Sequence, residues 1–107
     1  MAESHELERE AEQLRDDGKY DEAIEKLNQL IQSDETFVRA HLALAVLYGR
    51  VDQHEQAIVH GERACELEPN DTFNFTAMSV VYRRAFEGTD NQKYIDLAEQ
   101  AMDRSRM

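Results

Sequence analysis

Apolar residues recur along this chain at intervals of three and four, the spacing that gathers side chains on one face of an α-helix. Leu7, Ala11 and Leu14 make the first such stripe, and "DDGK" closes it, with Gly18 as a C-terminal helix signal. In "YDEAIEKLNQLIQ", Tyr20, Ala23, Ile24, Leu27, Leu30 and Ile31 share one side. A third helix, capped by Asp34 or Thr36, carries Phe37, Ala40, Leu44, Ala45, Leu47 and Tyr48. "HEQAIVHGERACELE" then turns Ala57, Ile58, Gly61, Ala64, Cys65 and Leu67 inward. Pro69 cannot comfortably continue that helix, and Asn70 or Asp71 suits the cap of a fifth. The fifth carries Phe75, Met78, Ser79, Val81, Tyr82 and Phe86. After "EGTDN" a sixth carries Tyr94, Ile95, Ala98, Ala101 and Met102. No stretch alternates apolar and polar residues as a half-buried strand does, so the expected fold is all-α. Connections of a few residues predict that each helix lies antiparallel to its neighbour.

The pattern repeats. "AVLYGR" and "SVVYRR" place Val46 over Val80, Tyr48 over Tyr82 and Arg50 over Arg84, each pair 34 residues apart. "DEAIEKLNQLIQSDE" and "EQAIVHGERACELEP" align at the same offset, with Ala23 over Ala57 and Ile24 over Ile58. Two independent stretches thus agree on one period, and a helix pair of about 34 residues is the unit of a tetratricopeptide array.

On these residues the chain resembles the tetratricopeptide repeat (TPR) family. In the second repeat, Val38 to Asp71, Leu44, Ala45 and Tyr48 stand at the family's leucine, small residue and tyrosine. Ala57, Gly61, Ala64 and Pro69 match its second helix and terminal proline. The first repeat, about Ser4 to Phe37, keeps Leu7, Ala11, Leu14, Gly18, Tyr20, Ala23, Leu27 and Leu30 but has Glu35 for the proline. The third keeps Phe75, Met78, Ser79 and Tyr82. If Ala98 is its small packing residue, "FEGTDNQ" lengthens the inner turn by about seven residues. The resemblance implies a right-handed α-solenoid of three antiparallel helix pairs. All 107 residues would form one domain, with repeats at about 4–37, 38–71 and 72–105.

Charge narrows the partner. With 12 Lys+Arg against 23 Asp+Glu the formal net charge is −11, which argues against nucleic acid or an anionic membrane. Residues 1–37 hold 12 acids and 4 bases, whereas residues 72–107 hold five of each. Cys65 is the only cysteine, so no internal disulfide forms and nothing asks for an oxidising compartment. The polar, acidic opening "MAESHELERE" is unlike a secretory signal, and the cytoplasm is the expected location.

No residues combine into a catalytic set, and no cofactor is expected. "HEQAI" begins like a zinc-protease helix, but Ile58 stands where the second histidine is needed. His54 and His60, six apart, fall on different helix sides, so no metal site is expected. Cys65, on an apolar helix face, reads as a core residue, and His41 as a packing residue. The family resemblance implies a concave groove lined by the first helix of each repeat. It would present Arg39, Leu42, Val46, Gly49 and Arg50, then Phe73, Thr76, Val80, Arg83 and Arg84, with His5, Glu8, Glu12, Arg15 and Asp16 on the first helix. Arginine offers a planar fork suited to carboxylates. The bland reading pairs these arginines with the chain's own carboxylates, such as Asp52 or Glu87.

Chaperone-tail binders of the family grip a terminal carboxylate with lysine and asparagine residues. Glu12, Val46 and Val80 replace the asparagine-type positions here, so that clamp does not carry over. The expected function is non-catalytic docking of a partner's peptide or helix, with acidic and apolar residues meeting the groove. The alternative is a self-associating scaffold or weak homo-oligomer, because a stack with no seventh helix after Arg106 exposes helix faces at its ends.

Overall fold

The computed structural model describes residues 2–106; Met1 and Met107, the ends of the expected domain, lie outside the described residues. Six helices follow one another: α1 (Ala2–Asp16), α2 (Tyr20–Ser33), α3 (Val38–Arg50), α4 (His54–Leu67), α5 (Thr72–Thr89) and α6 (Gln92–Ser105). There is no strand among the described residues, and no helix is long and apolar enough to cross a membrane. Helices α2 and α4 begin at residues 20 and 54, and α3 and α5 at residues 38 and 72, so both intervals are the 34 of the sequence repeat.

The hairpin turns share one device. Gly18, Asp52 and Asp90 follow the first helix of each pair and have φ of 78°, 63° and 60°. That left-handed conformation ends a helix cheaply for glycine and is tolerated by aspartate. Asp71 caps α5 as expected, its carboxylate accepting from the Phe73 backbone N–H at 3.0 Å. Asp34 does not cap α3, whose N-cap is Phe37. Its Oδ1 instead accepts from Thr36 Oγ1 at 2.8 Å and Thr36 N at 3.2 Å, bracing the turn between repeats.

The core forms two clusters, and the half-buried Tyr48 packs against both. Ala11, Ala23, Leu27, Leu30, Ala40, Leu44 and Leu47 form its first part, and Ala45, Ala57, Met78, Val81, Tyr82, Ala98 and Ala101 its second. Small residues sit where helices come closest. A Cβ added at Gly61 would collide with the Met78 thioether and lie 3.6 Å from Ala45 Cβ. Adjacent repeats are also tied by their tyrosines. Asn28 Nδ2 on α2 donates to Tyr48 OH on α3 at 3.1 Å, and Tyr82 OH on α5 donates to Glu62 on α4 at 2.7 Å. Residues 28 and 62 are 34 apart, as are 48 and 82. The recurring tyrosine is therefore an inter-repeat tether whose ring is packed and whose hydroxyl is satisfied.

The third hairpin corrects one expectation. "FEGTDNQ" does not lengthen the turn by about seven residues. Its first four residues, 86–89, continue α5, which has 18 residues against 13 in α3. Helix α6 begins 38 residues after α4, a net gain of four residues, or about one helical turn. Thr89 Oγ1 donates back to Ala85 O at 2.6 Å, Asp90 closes the helix, and Asn91 caps α6 by accepting from Lys93 N at 3.1 Å. Favourable helix continuation beat the loop suggested by Gly88, whose bare backbone receives the His54 ring.

Between α3 and α4 lies a histidine pair, His41 buried and His60 half-buried. His41 Nε2 donates to Glu35 O at 2.7 Å, because a carbonyl only accepts. His41 Nδ1 is then an acceptor and takes the proton of His60 Nδ1 at 3.0 Å. The His60 ring stacks on Tyr48 at 5.6 Å between centroids, with planes 13° apart. Beside it Arg63 holds Glu35 through two bonds of 2.6 and 2.8 Å. Burial, then the neighbouring His41, lowers the His60 pKa below its ordinary 6.5.

Two predictions follow from this packing. Ala57, 1 % exposed, has no room to grow, so Ala57→Phe is expected to cost about 1–3 kcal/mol in chemical denaturation; an unchanged midpoint contradicts the close-packing account. His60 binds its proton less readily folded than unfolded, so its contribution is complete above about pH 6.5 and is lost as pH falls towards its folded pKa. NMR titration should place His60 below ordinary histidine, with stability declining as pH falls below about 6.5. A His60 pKa at or above 6.5 contradicts this sign.

Candidate functional site

The first helices of the three pairs, α1, α3 and α5, carry the residues expected to face the groove. Among the described residues the exposed large hydrophobics are Val46, Val59, Phe73 and Val80. Three of these four lie on α3 and α5, with Val46 39 %, Val80 40 % and Phe73 65 % exposed. Between α3 and α5 is a cavity of about 160 Å³ lined by Val46, Gly49, Ala77, Val80 and Arg84, with Ala45 and Val81 as its floor. The Arg84 stem passes over Gly49. Its walls are almost wholly apolar, with Arg84 the one charged residue lining it.

A second cavity, of about 200 Å³, lies between α1 and α3, where Glu8, Glu12, Arg15 and Arg39 surround Ala43 and Leu47. Here Arg39 grips Glu8 through Nε at 2.8 Å and Nη2 at 3.0 Å, and lies 4.9 Å above the Phe37 ring. The two hydrogen bonds from Arg39 hold the Glu8 carboxyl below its ordinary pKa.

The expected set is thus brought together only in part. Val46, Val80 and Arg84 share the α3–α5 cavity. Arg39 lies at the α1–α3 end, occupied by an internal carboxylate. Arg50 turns back a repeat, its guanidinium 5.5 Å above the Tyr20 ring and Nη1 3.4 Å from Tyr20 OH. Thr76 Oγ1 donates to Thr72 O of its own helix at 3.4 Å. Leu42 is half-buried and Arg83 exposed, and neither lines this cavity. Ala77 went unremarked from sequence, although it repeats Ala43 at the 34-residue interval, three residues before Val80. His54 and His60 serve different neighbours, Gly88 and His41. Burial raises the Cys65 thiol pKa, which leaves it protonated rather than nucleophilic.

Comparison with known proteins fits this geometry. A family model described as "TPR repeat" matches residues 11–52. No curated protein sequence matches. Among solved structures, the chain is similar to the second TPR of Spaghetti (RPAP3) bound to the HSP90 peptide SRMEEVD, with a TM-score of 0.77 and 17 % identity. That alignment covers 96 % of this chain and 89 % of the other. The family model thus covers residues 11–52, and over nearly the whole chain the fold is the all-α solenoid of a TPR domain.

Proposed function

We propose that the protein is a non-catalytic docking module that holds a segment of a partner protein across α3 and α5, in a cytoplasmic setting. The observation that carries this reading is the α3–α5 cavity. It is an apolar slot between Val46 and Val80 on a chain of net charge −11, beside Arg84, which has no carboxylate partner among the described residues. The partner residue entering the slot is aliphatic, and an acidic residue beside it meets Arg84. Arg83 and Phe73, both exposed on α5, extend the same surface. Arg39 leaves the proposed contact set, because Glu8 already satisfies it.

The similar RPAP3 domain is bound to an HSP90 peptide, which supports peptide docking as the kind of work this fold does. Glu12 faces the α1–α3 end here and disfavours an acidic peptide terminus at that end. Self-association through an open stack end draws less support. The apolar residues of α6 (Tyr94, Ile95, Leu97 and Met102) are all half-buried against the rest of the chain.

Affinity purification with mass spectrometry identifies a partner, and calorimetry with variants then locates its site. Val46→Asp, Val80→Asp and Arg84→Glu should each cut affinity at least tenfold, about 1.4 kcal/mol, with helical content unchanged. Arg39→Gln should leave it within about twofold. Retention of affinity in all three groove variants contradicts the reading.

A further inference from the structure

The two cavities of the inner face are one cavity repeated. Ala11, Glu12, Ala43 and Leu47 line the one between α1 and α3. Their counterparts 34 residues on, Ala45, Val46, Ala77 and Val81, line the one between α3 and α5. The floors are alike in kind, alanine answering alanine and valine answering leucine. The rims differ. Glu12, Val46 and Val80 hold one position in three successive repeats, so α1, α3 and α5 carry a row that runs acidic, aliphatic, aliphatic. Arg84 follows Val80 by four residues, about one helical turn.

Four charged residues line the α1–α3 cavity, and three of them are engaged. Arg39 holds Glu8 through two hydrogen bonds, and Arg15 pairs with Asp16 at 3.2 Å. Glu12 is left over. It is exposed and in no ion pair among the described residues, although Arg39 feels its charge. Thus an unpaired carboxylate on α1 and the unpaired Arg84 guanidinium on α5 stand at opposite ends of the row, with two apolar-floored cavities between them. A lysine suits the first cavity in both its parts, its stem covering Ala43 and Leu47 and its ammonium reaching Glu12.

Building on the docking reading above, we infer that the groove takes a charge-ordered segment of its partner. A basic residue sits in the α1–α3 cavity against Glu12, an aliphatic residue fills the α3–α5 slot, and an acidic residue next to it meets Arg84. The basic and aliphatic residues stand three positions apart. Packed helices lie about 8–10 Å apart, which sets the distance between neighbouring cavities. A chain in polyproline geometry rises about 3.1 Å per residue and faces the same way every third residue, about 9 Å on. A β-strand places residues of one face about 7 or 13 Å apart and fits the interval less well. The opposite charge order is repelled at both ends.

The probe is acetyl-Lys-Ser-Pro-Leu-Glu-amide, whose proline biases the residue before it towards extended geometry. The control, acetyl-Glu-Ser-Pro-Leu-Lys-amide, has the same composition and net charge. Amide shifts in a two-dimensional NMR titration follow both. Expected are saturable shifts running from Glu12 through Val46 and Val80 to Arg84, and binding at least fivefold weaker for the control. Glu12→Lys, at an exposed position, should reverse the choice at the first residue. Acetyl-Glu-Ser-Pro-Leu-Glu-amide should then bind that variant at least threefold more tightly than the lysine probe does. The inference is overturned if probe and control bind alike, or if Glu12→Lys leaves the preference for lysine in place. Shifts at Val46 and Val80 in either case leave the aliphatic slot standing. No shift at either valine with millimolar probe overturns the slot as well. Shifts at the valines on concentrating the protein without peptide make a second copy the occupant, which also overturns the inference.

Discussion

Close approach of helix backbones is the constraint on which this molecule depends. A hairpin of about 30 residues cannot bury its own apolar face, so each pair must lean on the next. Ala40, Ala57, Gly61 and Ala64 permit that lean, and at Gly61 an added methyl group would have to displace the Met78 thioether. Backbones brought so near leave room at the layer's edge for one large ring per junction. Tyr48 and Tyr82 occupy those places, each with its hydroxyl bonded to the preceding repeat. Small residues and tyrosines are two halves of one packing solution, and for that reason they recur together.

The same stacking produces the surfaces. Holding α3 beside α5 leaves Val46 and Val80 lining one small apolar cavity. At the α1 end the gap is bridged internally, by Glu8 and Arg39. The inner face is thus divided into a largely self-satisfied polar end and an unsatisfied apolar and basic end.

Much of this could be read from the sequence, and the exceptions have physical causes. Period, helix faces and the small-residue positions are local properties that recur at 34 residues, and they placed all six helices. The extra turn of α5 was missed because Gly88 and Thr89 read as loop residues, whereas here Gly88 makes space for His54 and Thr89 bonds back to Ala85. The arginines were read as one cluster because periodicity shows which face a side chain leaves, not where a long flexible chain ends. Arg39 reaches Glu8 31 residues earlier, and Arg50 reaches Tyr20 30 residues earlier. Partners so distant in sequence are set by stacking, which no single helix pattern contains. The paired histidines escaped for the same reason: His41 and His60 belong to different helices and meet only after the hairpin closes.

The tether repeated at both junctions is the most direct point of attack. A double-mutant cycle with Tyr48→Phe and Asn28→Ala, and a second with Tyr82→Phe and Glu62→Ala, measures each coupling by chemical denaturation. The account predicts couplings of at least about 0.5 kcal/mol in both cycles, and none for the crossed pair Tyr82 with Asn28. Additive behaviour within either true pair would contradict a stack tied junction by junction through its tyrosines.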